Sequence, residues 1–254
     1  MSMKFKRYFN APNIVAGTTV KEPLLPVQNS MALHTGHDPK AVLQNRLALA
    51  DLLEEPLDHF VCANQTHSDQ FYRVEKVDRG RGAVSMEHAI GHTDALYTYE
   101  PNIVLSSFTA DCVPVLFYHE TTGLIGAIHS GWQGTVKEIT KKLFIHLKEA
   151  EQCDLSKVHV QLGMALSQEK FEVDEDVYVQ FQRLGYADEW MYVNETTQKY
   201  HIDNQRVVQK QCELAGIPAD NITIDRTCTF LDEEGFSHRQ DRNAGRHVSV
   251  IVRK

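Results

Sequence analysis

The chain has 254 residues, of which 42% are hydrophobic and 24% are charged, and it carries a formal net charge of −8. This composition is ordinary for a globular protein, and the chain is long enough to bury a sizeable core without disulfides or structural metals. The acidic balance argues against broad nucleic-acid binding, which requires Lys and Arg to neutralise phosphates. Because no window approaches the roughly 20 apolar residues of a membrane span, we expect neither a nucleic-acid nor a membrane partner.

The five cysteines are odd in number and widely dispersed, which is unlike a disulfide framework. Cys62, Cys153 and Cys212 have the surroundings of buried or neutral positions. Free cysteines are typical of a reducing compartment. The amino terminus, MSMKFKRYFNAPNIVAG, has no apolar core and no cleavage pattern of a signal peptide. We therefore expect a cytoplasmic protein.

In chain order, the first predicted element is a helix that begins at Asp38 and Pro39. Asp is a favoured N-cap, and Pro is a favoured first helical residue. Apolar residues then recur at helical spacing until Pro56 ends the pattern. Strands are predicted near residues 59–63 and 71–77, with a turn at residues 79–82.

The centre of the chain is its most apolar part and predicts strands at residues 103–108, 113–118 and 124–128. Near-continuous apolar runs are typical of strands that are buried on both faces. The segment from Gly131 to Gly134 leads into a helix that extends to Leu147. The remaining predicted elements are a strand at 158–162, helices near 175–184 and 204–215, and strands at 222–225 and 247–252.

No linker or composition shift divides the chain, so we predict one α/β domain with mixed sheets over residues 1–254. Four motifs of common enzyme classes, GxGxxG, GxxxxGK[ST], HExxH and GxSxG, are absent from the sequence. Nucleotide-cofactor folds, P-loop enzymes, zincins and serine hydrolases are therefore disfavoured.

Three residues form a candidate metal site: His67 in NQTHSD, Cys112 in TADCVPV and His129 in AIHSGWQG. Each lies at the edge of a predicted strand among small or polar residues. Two imidazoles and one thiolate would leave the fourth position of a zinc ion open for water or substrate, as in catalytic sites. The separations of 45 and 17 residues match no short-range motif. Considered one at a time, these residues could equally be a solvated turn, a buried free cysteine and a helix-capping histidine.

Other candidates are also open to two interpretations. Asp94 could be a base, a partner that orients a metal-bound imidazole, or the cap of a turn. The HxxH pair of His34 and His37 could bind a metal, although the helix start beside it explains the same residues. Arg46 is expected on a solvated helix face. The basic run that contains Arg239 and Arg246 could bind an anion or lie on the surface.

Taken together, eight ordered segments resemble the YfiH/DUF152 laccase-domain family. They are NSMALHTGHDPKAVLQNR, NQTHSD, GHTDALYT, TADCVPVLFYH, GAIHSGWQGTVKEI, FEVDEDV, DRTCTF and FSHRQDRNAGR, and they run from about residue 30 to residue 246. The resemblance implies a layered α/β sandwich with mixed sheets between helices. It also implies purine nucleoside phosphorylase activity with adenosine deaminase activity beside it.

The resemblance assigns roles to individual residues. It implies zinc bound by His67, Cys112 and His129, and it places Arg46 near the active site as a possible phosphate contact. Two departures from the family pattern bear on phosphate affinity and substrate preference. Gln133 stands where many relatives have an arginine, whose bidentate grip on phosphate an amide cannot copy. The segment LGMALSQEKFEV replaces a GPxIGPCCYEV-like pattern.

The leading hypothesis is therefore a zinc enzyme that acts on purine nucleosides and phosphate. Arg46, Asp94 and Cys112 are its candidate catalytic residues, and Arg46, Gln133, Arg239 and Arg246 are its candidate substrate-binding residues. One alternative is a copper-dependent polyphenol oxidase, since copper also prefers imidazole and thiolate and could replace zinc in vitro. The chain has no HxH motif, however, and multicopper oxidases need such pairs. A second alternative is a non-catalytic protein that binds a nucleoside and regulates a partner. The preferred nucleoside and the oligomeric state are left open.

Overall fold

Two mixed β-sheets, a small third sheet and five α-helices build the fold in a computed structural model that describes residues 3–254. The helices are α1 (Pro39–Leu53), α2 (Trp132–Val136), α3 (Ile139–Glu149), α4 (Glu175–Gln182) and α5 (Asn204–Ala215). The first strands are β1 (Phe5–Arg7), β2 (Ile14–Thr19), β3 (Phe60–Val61), β4 (Phe71–Arg73), β5 (Ala95–Thr98), β6 (Val104–Thr109) and β7 (Val113–His119). The others are β8 (Ile125–Ser130), β9 (Val158–Leu162), β10 (Glu172–Val173), β11 (Met191–Val193), β12 (Tyr200–Ile202), β13 (Ile222–Ile224) and β14 (His247–Arg253).

The larger sheet has six strands in the order β13-β9-β7-β8-β5-β4. Its central pairs are antiparallel, whereas both edge pairs, β13 with β9 and β4 with β5, are parallel. Every residue of β8 and almost every residue of β7 is buried. The prediction of doubly buried central strands is therefore confirmed.

The second sheet has five strands in the order β1-β2-β14-β6-β3, with only the β3–β6 pair parallel. It pairs the last strand of the chain with the second strand, so the two ends of the sequence share one sheet. This pairing favours a single domain over residues 1–254, which remains a prediction. Residues 1 and 2 lie outside the part of the chain that the structure describes.

The two sheets pack face to face through an apolar cluster. Leu105 and Ile251 of the five-stranded sheet belong to the same cluster as Leu116 and Ile125 of the six-stranded sheet, and all four are fully buried. Such a sandwich leaves one outer face of each sheet to be covered by helices.

Helices cover both outer faces. The apolar side of α1, with Leu49 and Leu53, packs on the five-stranded sheet near Val250. On the opposite side, α3 and α5 pack on the six-stranded sheet, with Phe144 edge-on to Phe117 at 5.0 Å between ring centroids. The result is a four-layer arrangement of helix, sheet, sheet and helices, which confirms the predicted layered α/β sandwich.

A small sheet in the order β10-β12-β11 packs with α4 against its own apolar cluster, beside the main sandwich. The sequence analysis predicted none of these three strands, nor β1 and β2. Four of them have only two or three residues, too few to show an apolar pattern, and β2, with the sequence IVAGTT, ends in small and polar residues.

Two other predicted elements differ in extent. The predicted strand at residues 71–77 ends at Arg73, because residues 76–78 form a 3₁₀ turn. The predicted continuous helix after Gly131 is divided into α2 and α3 by Glu138, which adopts a left-handed conformation with φ of 61°. A residue in that conformation ends one helix and forces the chain to begin another.

The cysteines and the helices bear on two further predictions. Cys62, Cys153 and Cys212 are buried and free, as expected. Within residues 3–254, no helix combines the length and the apolarity that crossing a bilayer requires.

Arg46 does not lie on a solvated face of α1, and this expectation was wrong. Its side chain is buried, and its Nε donates to the carbonyl oxygen of Met31 at 2.8 Å. Its Nη1 donates to the carbonyl oxygens of Gly82 and Ala83 at 2.8 and 2.6 Å, and the guanidinium lies 4.9 Å from the centre of the Phe108 ring. Arg46 therefore joins α1 to the loop of Gly82 and Ala83 and, beside the contact of Asn45 with Ser30, to the segment before the helix.

We expect Arg46→Met to lower the free energy of unfolding by about 3 kcal/mol, because three buried carbonyls lose their donor. Chemical denaturation measures this change. Arg206→Met on the exposed face of α5 is the control, since the Arg206 side chain contacts only Gln209, and its effect should stay within about 0.5 kcal/mol. Equal stability of the two variants would contradict a structural role for Arg46.

Candidate metal centre

The three predicted metal ligands meet at one end of the six-stranded sheet. One nitrogen of His67, the Sγ of Cys112 and one nitrogen of His129 all lie within 4.8 Å of one another. Cys112 Sγ is 3.8 Å from His67 Nε2, and the two imidazole rings are edge-on at 4.8 Å. Among residues 3–254, this is the only group of three or more His, Cys, Asp or Glu side chains arranged in this way.

The strand pairing explains why ligands that are far apart in sequence come together. In the β7–β8 pair, Val113 lies opposite Ser130, so Cys112 and His129 are neighbours at the ends of adjacent strands. In the β5–β8 pair, Ala95 lies opposite Ile128, which brings Asp94 beside His129. The loop that carries His67 leads into β4, whose first residue, Phe71, lies opposite Ala95 in the parallel β4–β5 pair. His67 and Asp94 therefore lie at the same end of the sheet.

Asp94 holds two of the three ligands in place. Its Oδ1 accepts hydrogen bonds from His129 Nδ1 at 2.8 Å and from the backbone N–H of His67 at 3.0 Å. Its Oδ2 accepts from the backbone N–H groups of Thr66 and Ser68 and from the Ser68 hydroxyl. Because a carboxylate is only an acceptor, Nδ1 of His129 carries the proton and Nε2 is left to face the other ligands.

The loops before the strands adopt unusual backbone conformations. His67 has φ of 58°, and Asp111, the neighbour of Cys112, has φ of 86°. Non-glycine residues rarely adopt such angles, and they persist only where the surroundings hold them. The contacts of Asp94 supply that constraint at His67.

The donor set and the free space both fit a zinc ion. Tetrahedral zinc with bonds of about 2.0–2.3 Å places its ligand atoms about 3.5 Å apart, which is near the 3.8 Å between Cys112 Sγ and His67 Nε2. Gly131 follows β8 and lies against the trio, where a Cβ atom would be 2.6 Å from His67 Cδ2 and 3.0 Å from Cys112 Sγ. Only glycine therefore leaves these ligands undisturbed.

Mutual interactions set the charges of the ligands in the metal-free chain. Burial disfavours the Cys112 thiolate, but His129 and His67 outweigh it and lower the pKa of this thiol to about 6. Burial also opposes charge on His129, yet the Cys112 thiolate and Asp94 raise the pKa of its imidazole to about 9. Against its own burial, the hydrogen bonds of His129 and Ser68 hold the pKa of Asp94 well below its usual range. Both pKa shifts favour a thiolate–imidazolium pair in the absence of metal, and a metal ion would displace the Nε2 proton of His129 while Nδ1 keeps its proton for Asp94.

The trio lies on the wall of a pocket of about 550 Å³. The apolar part of the wall is formed by Phe108, Trp132, Leu166 and Phe171. The polar part includes His34, Gln65, Asp111, Gln133, Asn204, His238, Arg239 and Arg246. A concave pocket of this volume is typical of small-molecule sites, and here aromatic surfaces are combined with many polar groups.

The other predicted site residues are placed differently. Gln133, Arg239 and Arg246 line the pocket. Asp94 lies behind the trio, with a fully buried side chain. Arg46 lies behind Phe108 and outside the pocket wall, so its predicted role as a phosphate contact has no support from its contacts.

The HxxH pair is separated by the fold. His34 lines the pocket, whereas Nδ1 of His37 pairs with the Thr35 hydroxyl at 3.2 Å. The sequence patterns do not assign Phe171 or Asn204 to the site, although Phe171 begins the FEVDEDV segment that resembles the family. His238, which also lines the pocket, begins the basic run that was expected to bind an anion or lie on the surface.

We expect Asp94→Asn to weaken zinc binding by about 10–100-fold, because an amide nitrogen would face N–H donors that need an acceptor. Competition with a chromogenic chelator measures the affinity. Asp69→Asn is the matched control, since Asp69 lies in the same loop and pairs instead with Lys142 at the surface. Equal affinities of the two variants would show that Asp94 does not organise the site.

We expect Gly131→Ala to reduce zinc affinity by about tenfold or more, because the His67 ring must move to make room for the added methyl group. The comparison is with Gly134→Ala, where the new Cβ would meet its nearest neighbour, Ile139, only at 3.4 Å. The same chelator assay applies. If Gly131→Ala binds zinc as tightly as Gly134→Ala, the trio is not the zinc site.

Comparison with known proteins places the chain in a family. The family model described as multi-copper polyphenol oxidoreductase laccase matches residues 20–254. The purine nucleoside phosphorylase YlmD of Geobacillus stearothermophilus is 34% identical over 247 residues, which cover 94% of this chain and 90% of the relative. The adenosine deaminase RL5, from an unknown prokaryotic organism, is 30% identical over 224 residues, which cover 87% of this chain and 85% of that protein.

The fold agrees with a solved structure. The crystal structure of the hypothetical protein YfiH of Bacillus licheniformis superposes with a TM-score of 0.90 at 30% identity, covering 98% of this chain and 99% of that one. With a family match that extends from residue 20 to the last residue, the chain belongs to the multi-copper polyphenol oxidoreductase laccase family, the YfiH/DUF152 laccase-domain proteins that its motifs resemble.

Proposed function

We propose that this protein is a zinc-dependent purine nucleoside phosphorylase that also deaminates adenosine. The observation that carries the proposal is the position of the His67–Cys112–His129 trio on the wall of a pocket that also presents two arginines. Relatives named purine nucleoside phosphorylase and adenosine deaminase share about a third of the sequence over most of its length.

The pocket wall suits a purine nucleoside. Phe108, Trp132 and Phe171 offer flat apolar surfaces on which a purine can stack. Polar groups from Gln65 and Asn204 stand beside them and can meet hydroxyl or ring-edge atoms.

Two arginines are the candidate phosphate contacts. Arg239 extends over the Phe171 ring at 5.9 Å, and its Nη1 donates to the carbonyl oxygen of Glu172. Arg246 is half-buried, and its Nη1 donates to the carbonyls of Ala244 and Gly245. In each guanidinium the other nitrogens remain for an anion, and a fork of N–H groups matches a phosphate dianion. Gln133 can add only a neutral amide donor.

Phosphorolysis requires these residues to orient two reactants. A phosphate oxygen forms a bond to ribose C1′ while the bond from C1′ to the purine nitrogen breaks, and the electron pair leaves with the base, which takes up a proton. Holding the dianion against C1′ converts an encounter of two solutes into a reaction within one complex. Zinc held by the trio would supply a Lewis acid and, for deamination, would lower the pKa of a water molecule.

Asp94 acts in this scheme by orienting His129. Its side chain is fully buried and has all five of its hydrogen bonds inside the protein, so it cannot reach a substrate. The predicted alternative of a proton-handling Asp94 is therefore not part of the proposal. Cys112 contributes as a ligand.

Copper-dependent polyphenol oxidation is the competing function, because the family description names it. A multicopper oxidase needs several copper ions with separate ligand sets, whereas residues 3–254 present one group of three ligands. One ligand group favours a single ion, and imidazole with thiolate suits zinc as well as copper. A cytoplasmic location remains a prediction, with which the five free cysteines agree.

Product analysis of the zinc-loaded protein tests the proposal. Incubated with adenosine, the protein should release adenine and ribose 1-phosphate only when phosphate is present, and inosine whether or not phosphate is present. Chromatography separates these products. Oxidation of a diphenol by the copper-loaded protein, with no nucleoside product from the zinc-loaded form, would overturn the proposal.

Loss of the thiolate should abolish turnover. We expect Cys112→Ala to lower the rate by more than about 100-fold, because removing a ligand costs at least as much as removing its supporting partner. Cys153→Ala is the control, since Cys153 is a free cysteine in the apolar cluster beneath α3. Normal turnover by a metal-free Cys112→Ala protein would exclude the zinc mechanism.

A further inference from the structure

Asp111 connects the loop that carries Cys112 to the segment that carries Arg239. Its Oδ2 accepts a hydrogen bond from the backbone N–H of Arg239 at 2.7 Å. Its Oδ1 accepts from the hydroxyl of Thr229 at 2.8 Å, and Thr229 is fully buried. Both oxygens of this carboxylate are therefore engaged by the C-terminal part of the chain, more than 100 residues away.

The backbone of Asp111 makes a third connection. Its carbonyl oxygen accepts from the N–H of Leu166 at 3.0 Å, and Leu166 belongs to the apolar wall of the pocket. With φ of 86°, Asp111 can accept these three hydrogen bonds at the same time, two with its carboxylate and one with its carbonyl oxygen. Gly adopts such an angle freely, and Asn and Asp adopt it more readily than other residues.

Arg239 depends on this anchor for its direction. Its backbone is held by Asp111, and its side chain is held at the far end by the carbonyl of Glu172 at 2.7 Å and by the ring of Phe171. Arg239 is exposed, so little packing holds it besides these contacts. Freed from Asp111, the segment would carry the guanidinium away from the pocket.

We propose that Asp111 is a positioning residue, which holds Arg239 at the pocket wall so that the guanidinium binds the phosphate substrate. This inference rests on the proposed phosphorylase function. It assigns the aspartate of the ADC motif to the substrate-binding side of the site, although its neighbour Cys112 belongs to the metal side.

The first test is Asp111→Gly, which removes the carboxylate and tolerates the backbone angle. The KM for phosphate should rise about tenfold, because the displaced Arg239 guanidinium would lose one charge-assisted hydrogen bond to phosphate. The rate at saturating phosphate should stay within about twofold, because the reacting groups are untouched. Zinc content, measured by atomic absorption, should match that of the unaltered protein.

Asp111→Asn is the conservative comparison. Its carbonyl oxygen can accept from the Arg239 N–H while its amide donates to the Thr229 hydroxyl, so both connections survive without the charge. Its KM for phosphate should therefore stay within about threefold of the original value. Asp232→Asn is the charge-matched control in the same C-terminal segment, where the carboxylate accepts only from the N–H of Glu234.

A readout without substrate separates this inference from the proposed function. Hydrogen exchange of residues 236–246 should be faster in Asp111→Gly than in Asp111→Asn or Asp232→Asn. If the unaltered protein turns over no nucleoside, the proposed function fails, and faster exchange would still show that Asp111 anchors the segment. Unchanged exchange together with an unchanged KM would overturn the inference. Zinc loss in proportion to lost activity would also overturn it, because Asp111 would then act through Cys112.

Discussion

The site depends on one carboxylate that accepts five hydrogen bonds. Asp94 directly precedes β5, the strand next to the edge strand β4 of the six-stranded sheet. From there it fixes the His129 ring and the backbone of the His67 loop. Burial strengthens these hydrogen bonds. His129 on β8 and His67 on a loop are thereby held at a fixed separation before any metal binds.

The sandwich makes that position rigid. The strands β5, β7 and β8 are buried between the five-stranded sheet on one face and α3 with α5 on the other, so the ends of these strands cannot shift independently. His129 lies near the end of β8, and His67 and Cys112 lie on connections at the same end of the sheet, which combines the accuracy of the sheet with the access of a loop. Gly131 adds the space that the ligands need.

The rest of the pocket wall is built by other parts of the chain. Phe171 comes from the segment before the small sheet, and Arg239 and Arg246 come from the segment before the last strand. These parts reach the ligand loop through Asp111. The main sheet therefore positions the candidate metal ligands, and peripheral segments form the rest of the pocket wall.

The sequence by itself determined the central strands and four of the helices with small errors, and it singled out the three candidate metal ligands, because apolar periodicity and ligand chemistry are local properties. It also determined the family through ordered motifs. Only the tertiary structure decided which residues meet: that Asp94 supports His129, that Arg46 is buried, and that Phe171 reaches the pocket. These are contacts between residues that lie dozens of positions apart, and local pattern contains no information on the register of sheet pairing or on how loops fold across a sheet end.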